Sequence, residues 1–227
     1  PMPTVVLFDI DGTILNTGGA GRRAFERAFV DLCGSEAARP RFSFAGMTDK
    51  AIARRGAEEA GLAPTAELLE ALVAAYLERL HDELARTQGY VVYPAVRDLA
   101  ESLGARPEVA VGLGTGNVRA GAAAKLRHGG LWELYRFGGF GCDAEDRAAL
   151  LEAGAVRGAA LLGAPRSACR VVVVGDTVKD VDAALAIGAV CIGVGTGGRP
   201  LGELAERGAH HTFGDLAEPG ALEAILG

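Results

Sequence analysis

The chain has 227 residues, of which 49% are hydrophobic and 23% are charged, and its formal net charge is −6. This length and composition predict one globular domain, or a core domain with a smaller one attached, and exclude a disordered or fibrous chain. The acidic balance, without any Lys- or Arg-dense stretch, excludes the charge pattern that nucleic acids and anionic membranes attract, so neither is an expected partner.

The N-terminal segment and the cysteines predict a cytoplasmic protein. No basic segment precedes the apolar run Val5–Phe8, and no apolar run approaches the length of a membrane span. The cysteines are scattered without a C-x-x-C pair, which predicts neither a disulfide framework nor a zinc site. They are Cys33, Cys142, Cys169 and Cys191.

Short, continuously apolar runs predict strands that are buried on both faces of a parallel sheet. They are Val5–Phe8, Val109–Leu113, Val171–Val174 and, less regular, Val190–Val194. Glycine and small polar residues follow these runs, and helical stretches lie between them. This alternation predicts a doubly wound, mainly parallel, Rossmann-like α/β sheet.

The long segment between the first two strands has the apolar spacing of helices. Apolar residues recur at i, i+3, i+4 and i+7 from Phe25 to Cys33 and again from Leu69 to Leu84. We predict an all-α insert over residues 17–90, set into a core domain of residues 1–16 and 91–227. The segment Tyr90–Pro94 is predicted to carry the chain back to the core, because proline resists continuing a helix.

Two carboxylates and a glycine follow the first strand, in the order Asp9-Ile10-Asp11-Gly12-Thr13. Open α/β sheets place their ligands at this carboxyl end of the strands. Paired acids there can hold Mg²⁺ while one attacks phosphorus and the other handles a proton. A turn with helix-capping Asp and Thr residues is the alternative for this motif alone.

The second and third strands also end in polar residues. Thr115, Gly116 and Asn117 place a hydroxyl and free N–H groups at a helix start, which suits a phosphate, although Thr115 alone is more often an N-cap. Asp176 and Asp180 follow the third strand. Four acids at one sheet edge would repel one another, so we expect a bound cation, and all-oxygen ligands favour Mg²⁺.

Together these motifs resemble the haloacid dehalogenase-like hydrolase superfamily, in the right order over essentially the whole chain. The segment Asp9–Thr13 resembles its first motif, Thr115 its second, and Asp176 with Asp180 its fourth. The predicted insert resembles the α-helical cap of that superfamily. Gly46-Met47-Thr48-Asp49 resembles a substrate-facing cap loop of the phosphoglycolate phosphatase-like branch, which implies that Thr48 and Asp49 contact substrate.

The resemblance implies a Mg²⁺-dependent phosphatase of a small phosphorylated metabolite. By this resemblance Asp9 becomes phosphorylated, and Asp11 protonates the leaving alcohol and then deprotonates water. Mg²⁺ is bound by Asp9, the Asp11 carbonyl, Asp176 and Asp180. The groups implied to bind the phosphate and the substrate are Gly12, Thr13, Thr115, Gly116 and Asn117.

The third motif departs from the superfamily pattern, which places a lysine at the start of the helix before the fourth motif. Asp143-Ala144-Glu145-Asp146-Arg147 stands there instead. Arg147 can supply the positive charge, since a guanidinium holds carboxylate and phosphate groups. Lys125, on the helix after Thr115, is the rival candidate.

Three other signals are weaker. The G-x-G-x-x-G pattern at Gly193–Gly198, with Asp215 beyond it, is typical of NAD sites, but too little chain follows for a dinucleotide-binding half. Adjacent residues of an extended segment point to opposite faces, so His210 and His211 are predicted to be surface or strand residues rather than metal ligands. Insert arginines are predicted on solvated helix faces, although one of them can meet an acidic substrate group. They are Arg22, Arg23, Arg54 and Arg55.

Other functions remain open at this stage. A sugar-phosphate mutase shares the same core, and a non-catalytic phospho-metabolite sensor is possible on the same fold, although the pair Asp9 and Asp11 argues against it. A phosphonate hydrolase would need a cap lysine, for which Lys50 is the one candidate in the insert. A dehalogenase is disfavoured, because that reaction needs neither a Mg²⁺ site nor the second acid that Asp11 supplies. Phosphoglycolate is the substrate suggested by resemblance, and no oligomeric state is predicted.

Overall fold

Six parallel strands form one sheet in the order β5-β4-β1-β6-β7-β8 in a computed structural model that describes residues 2–227. Pro1, the first residue of the predicted core segment, lies outside the described residues. The doubly wound, parallel α/β fold predicted from the sequence is confirmed. The strands are β1 (Thr4–Phe8), β4 (Val109–Thr115), β5 (Gly138–Phe140), β6 (Arg170–Gly175), β7 (Val190–Val194) and β8 (His211–Phe213).

The central strand β1 is apolar throughout because both of its faces are covered. Val6 and Phe8 join an apolar layer with α4, α5 and α9, whose ranges are Val96–Gly104, Arg119–His128 and Ala221–Leu226. Val5 and Leu7 join the opposite layer with α6, α7 and α8, whose ranges are Arg147–Leu161, Val178–Ala186 and Leu201–Arg207. Each fully buried aliphatic side chain contributes roughly 1.5–3 kcal/mol to the free energy of unfolding.

Four strands of three residues each were not predicted. Two of them, β5 and β8, lie at the edges of the main sheet. The others, β2 (Leu15–Thr17) and β3 (Tyr90–Val92), pair antiparallel where the chain leaves for the insert and returns from it. Three residues are too few to show a strand period, so the sequence pattern could not reveal them.

The insert is helical, as predicted, and consists mainly of α1 (Ala20–Cys33), α2 (Asp49–Glu59) and α3 (Ala66–Arg86). Helices α1 and α3 pack face to face, and the rings of Phe25 and Tyr76 stack with centroids 3.9 Å apart and an interplanar angle of 11°. One residue of the predicted apolar stripe, Leu32, is exposed, whereas its neighbour Cys33 packs against the apolar cluster of the insert.

Two further findings concern the chain as a whole. None of the helices within residues 2–227 combines the length and apolarity needed to cross a membrane. All four cysteines are free thiols, and Cys169 and Cys191 are buried in the core.

Candidate active site

Buried acids from two neighbouring strands converge at the carboxyl edge of the sheet. Asp9 follows β1, Asp176 follows β6, and Asp180 lies in the first turn of α7. One carboxylate oxygen from each of the three lies within 4.8 Å of those of the other two. The residues converge because β1 and β6 are adjacent and parallel, so both strands end at the same edge.

Two glycines make room for the Asp176 carboxylate. Gly12 has a positive φ of 86°, and a Cβ added to it would lie 2.3 Å from Asp176 Oδ2. A Cβ added to Gly197 would lie 1.7 Å from the same oxygen. The neighbouring Thr196 hydroxyl donates to the Gly12 carbonyl oxygen at 2.5 Å. The glycine-rich segment after β7 therefore shapes the acidic site.

Threonine hydroxyls fix the orientation of two of the acids. The backbone N–H and the hydroxyl of Thr177 donate to Asp180 Oδ2 at 2.9 and 2.7 Å, in a capping box that opens α7. The Thr13 hydroxyl donates to Asp176 Oδ1 at 3.1 Å. Thr13, which the resemblance assigns to phosphate binding, therefore supports an acid in this structure.

Arg147 is the cation nearest to Asp9. It is the first residue of α6, after the N-cap Asp146, and this position turns its side chain back over the strand ends. Its Nη2 lies 3.0 Å from Asp9 Oδ2 and also contacts Asp180 Oδ1. The buried guanidinium thus bridges the acids from two motifs.

Lys125 contacts a different acid. Its Nζ donates to Asp11 Oδ2 and to Asn117 Oδ1, both at 2.7 Å. Asn117 Nδ2 in turn donates to Asp11 Oδ2 at 2.8 Å and to Thr115 Oγ1 at 2.9 Å. The two cations that the sequence left as rivals therefore occupy separate positions, Arg147 beside Asp9 and Lys125 beside Asp11.

Burial and mutual repulsion raise the pKa of two of the acids. Burial, together with the nearby Asp180 and Asp9 carboxylates, raises the pKa of Asp176 to about 8. Burial also raises the pKa of Asp9 to about 6, against the opposing charge of Arg147. The carboxyl groups of Asp9, Asp11, Asp176 and Asp180 outnumber by two the cations beside them, Arg147 and Lys125. This excess of acids and the all-oxygen donor set fit a Mg²⁺ ion.

A cavity of about 300 Å³ lies over these groups. Its floor includes Asp9, Asp11, Asp176 and Arg147. Its other walls include the predicted residues Gly12, Asp49, Gly116, Asn117 and Lys125. The insert adds Phe25, Ile52 and Tyr76, which were not predicted to be part of the site, because a helical apolar pattern looks the same on a core face and on a pocket wall. Phe44 and Met47 line the cavity from the loop before α2, and Met47 belongs to the segment that resembles a substrate-facing cap loop.

The loop before α2 connects the insert to the core. Asp49 N donates to the Gly116 carbonyl at 2.8 Å, and Val118 N donates to Asp49 Oδ2 at 2.8 Å. Thr48 caps α2 and donates to the Glu145 carbonyl at 3.3 Å, so it lies between insert and core rather than on the cavity wall.

The insert arginines have different surroundings. Arg54 forms an ion pair with Glu145, and Arg23 forms one with Glu83. Arg55 lies over the Phe42 ring. Of the four, Arg22 alone lines the cavity within the described chain.

A model of the haloacid dehalogenase-like hydrolases matches residues 3–188. The chain belongs to this hydrolase superfamily. The predicted superfamily and the prediction of an enzyme are therefore confirmed. No curated protein sequence matches the chain.

Solved structures of similar fold cover nearly the whole chain. A hydrolase from Pseudomonas syringae has 23% identity and a TM-score of 0.69, with 94% of each chain covered. A provisional phosphoglycolate phosphatase from Lactobacillus delbrueckii subsp. bulgaricus has 22% identity and a TM-score of 0.68, with 100% of each covered. CbbY from Rhodobacter sphaeroides, in complex with phosphate, has 20% identity and a TM-score of 0.73, with 99% of each covered. At these identities the similarity shows a shared fold.

Proposed function

We propose that this hydrolase is a Mg²⁺-dependent phosphatase that acts on a small phosphorylated metabolite. The observation that carries the proposal is the buried Asp9 carboxylate, which lies beside Asp176, Asp180 and Arg147 on the floor of an enclosed cavity. Membership of the superfamily supports it, and so does the phosphate bound to CbbY, which shares the fold. Residues 17–90 would act as the cap over a core of 1–16 and 91–227. The free cysteines support a reducing, cytoplasmic location.

In the first step, an Asp9 carboxylate oxygen attacks phosphorus, and the bond from phosphorus to the alcohol oxygen breaks. Asp11 gives its proton to that oxygen, so the alcohol leaves neutral and Asp9 carries the phosphoryl group. In the second step Asp11 takes a proton from water, which attacks phosphorus. Inorganic phosphate leaves, and the Asp9 carboxylate and the Asp11 proton are restored.

Cationic and hydrogen-bonding groups would stabilise the transferring phosphoryl group. Arg147 is placed for this role beside Asp9, which supports it over Lys125 as the replacement for the third-motif lysine. Thr115 is fully buried, and its hydroxyl accepts hydrogen bonds from the backbone and side-chain N–H groups of Asn117, so Thr115 would hold Asn117 at the cavity wall. Mg²⁺, held by Asp9, Asp176, Asp180 and the Asp11 carbonyl, would neutralise charge on the phosphoryl oxygens.

Lys125 would hold the acid/base rather than the phosphate. Its contact with Asp11 and Asn117 fixes the Asp11 carboxylate near the place where the leaving oxygen departs. Lys50, which a phosphonate hydrolase would need in the cavity, lies outside its walls. This placement favours the phosphatase over that alternative.

Release of inorganic phosphate from p-nitrophenyl phosphate tests the proposal. We expect turnover with Mg²⁺, loss of turnover in EDTA, and loss in Asp9→Asn. Asp182→Asn, which changes an exposed acid paired with Arg207, is the matched control and keeps the activity. Undiminished turnover in Asp9→Asn or in EDTA would refute the mechanism. A mutase would instead convert one sugar phosphate isomer to another without releasing phosphate.

A further inference from the structure

The wall of the active-site cavity opposite the acids contains a carboxylate of its own, Asp49. On the basis of the proposed phosphatase function, we infer that the leaving alcohol of the substrate carries a hydrogen-bond donor, either a second hydroxyl or an ammonium group, that binds Asp49. We infer further that this alcohol carries no carboxylate.

Asp49 is buried but only partly satisfied. It is the first residue of α2 and is 4% exposed, and it lines the cavity. Its Oδ2 accepts the Val118 N–H at 2.8 Å. Its Oδ1 accepts no hydrogen bond within residues 2–227 and is not sealed from the cavity. Because this oxygen is accessible from the cavity and accepts nothing from the chain, it is placed to accept a hydrogen bond from a donor on the substrate.

The Tyr76 hydroxyl adds a second polar atom to the same spot. A Cβ added to Gly121 on α5 would lie 3.5 Å from Tyr76 Oη and 3.6 Å from Asp49 Oδ2, so the two side chains are neighbours. The Tyr76 ring is held in place by its stack on Phe25. The apolar side chains of Phe44 and Ile52 also belong to the insert wall. The wall thus places these two polar groups near an apolar surface, an arrangement that orients a small ligand.

The cations of the cavity are already engaged. Of the described residues, Arg22, Lys125 and Arg147 are the cations that line it. Arg147 contacts Asp9 and Asp180, and Lys125 contacts Asp11 and Asn117.

Arg22 is engaged within the insert. Its Nε donates to Glu26, and its Nη atoms donate to the carbonyl oxygens of Phe42 and Pro40. Its guanidinium also lies 4.6 Å from the centroid of the Phe44 ring. Burial raises the pKa of Asp49 to about 7, so above that pH a carboxylate on the leaving group would face an ionised Asp49 without a free counter-ion, which is repulsive in a buried site. Glycolate, the leaving group suggested by the resemblance, is such a carboxylate.

Matched phosphate esters test the inference. The set is ethyl phosphate, 2-hydroxyethyl phosphate, ethanolamine phosphate and phosphoglycolate, with the corresponding three-carbon esters as a second set. We expect the kcat/KM of the hydroxyl ester, the ammonium ester or both to exceed that of the alkyl ester by about tenfold or more, which is roughly 1.4 kcal/mol. We expect the carboxylate ester to have the lowest kcat/KM of the set. The ranking of hydroxyl and ammonium identifies the donor.

Asp49→Asn assigns the preference to this residue. The amide oxygen can still accept the Val118 N–H, while the amide group offers a donor to the cavity in place of the acceptor. We expect the preference for the donor-bearing esters to shrink to about threefold or less, and the relative rate of the carboxylate esters to rise. Tyr76→Phe, which keeps the stacked ring, should weaken the preference in part. Asp31→Asn, an exposed acid of the insert, should keep it.

A best rate with the carboxylate esters, no preference at either chain length, or an unchanged preference in Asp49→Asn would overturn the inference. Calorimetric binding of the same esters to Asp9→Asn with Mg²⁺ separates it from the proposed function. If no ester is hydrolysed by the unchanged protein, the proposed phosphatase fails. The order of binding affinities then still decides whether Asp49 selects a donor.

Discussion

Arg147 Nη2 lies 3.0 Å from Asp9 Oδ2, and both side chains are buried. The same guanidinium contacts Asp180, so one cation neutralises part of the charge of two acids that belong to different motifs. Because Lys125 contacts Asp11 instead, the geometry separates a cation beside Asp9, the proposed nucleophile, from a cation beside Asp11, the proposed acid/base.

Arg147→Met should lower kcat/KM by about 100-fold or more, because a preorganised charge beside the reacting phosphoryl group is lost. Without Mg²⁺ it should also destabilise the fold by roughly 3–5 kcal/mol, since two buried carboxylates lose their counter-charge. Arg147→Lys should lose less activity. Arg207→Met, at an exposed ion pair, is the control. Steady-state kinetics and urea unfolding measure both effects, and wild-type turnover in Arg147→Met would exclude the assigned role.

Gly197→Ala should weaken Mg²⁺ binding, because the added Cβ would lie 1.7 Å from Asp176 Oδ2 and displace that carboxylate. The measurement is the rise in melting temperature with increasing Mg²⁺, which follows the fraction of protein bound. We expect the half-saturating Mg²⁺ concentration to rise about tenfold or more. Gly202→Ala, on α8 with open space around the new Cβ, should leave it unchanged. Equal Mg²⁺ responses in both variants would contradict the proposed metal site.

The Mg²⁺ response should also depend on pH. Binding requires the ionised acids, whereas burial raises the pKa of Asp176 to about 8 and that of Asp9 to about 6. Protons therefore compete with the metal as the pH falls. We expect the same Mg²⁺ concentration to raise the melting temperature more at pH 8 than at pH 5.5. An equal or larger shift at pH 5.5 would show that these acids do not bind the metal.

The Arg54–Glu145 ion pair should affect substrate binding more than stability. It joins the insert to the loop that precedes Arg147, and both side chains are partly exposed, so its loss should cost only about 0.2–1 kcal/mol. We expect Glu145→Gln to raise KM severalfold, and more at low salt than at high salt. Asp31→Asn breaks the Arg79–Asp31 pair, which is equally exposed but lies within the insert, and should leave KM unchanged. Equal KM values in the two variants would show that the ion pair between the insert and the core does not contribute to substrate binding.

Asp49 should make the fold less stable as the pH rises. Burial raises the pKa of its carboxyl to about 7, whereas in the unfolded chain it is about 3.9. Between these values the folded protein keeps a proton that the unfolded chain releases, so the contribution to stability is fully present below about pH 4 and is lost as the pH rises to about 7. Asp49→Asn should reduce this slope in urea unfolding between pH 4.5 and 7.5. An unchanged slope would show that Asp49 does not hold the proton.

Much of the core was readable from local sequence. A strand buried on both faces must be apolar along its whole length, so Val5–Phe8 and Val171–Val174 could be recognised without any knowledge of their partners. Strands of three residues, such as Gly138–Phe140, carry no such pattern, because their pairing depends on neighbours supplied by the fold. The exposure of Leu32 could likewise not be predicted, since helical spacing does not show which residues of an apolar stripe a neighbouring element covers.

The sequence by itself determined which acids meet, because Asp9 and Asp176 each follow a buried parallel strand and such strands end at one edge of a sheet. Only the tertiary structure decided which cation faces which acid, and that Tyr76 and Gly197 belong to the site. The physical reason is that strand and helix periods are local properties of the chain. Contacts between a side chain of the insert and a loop of the core depend on how separate elements pack.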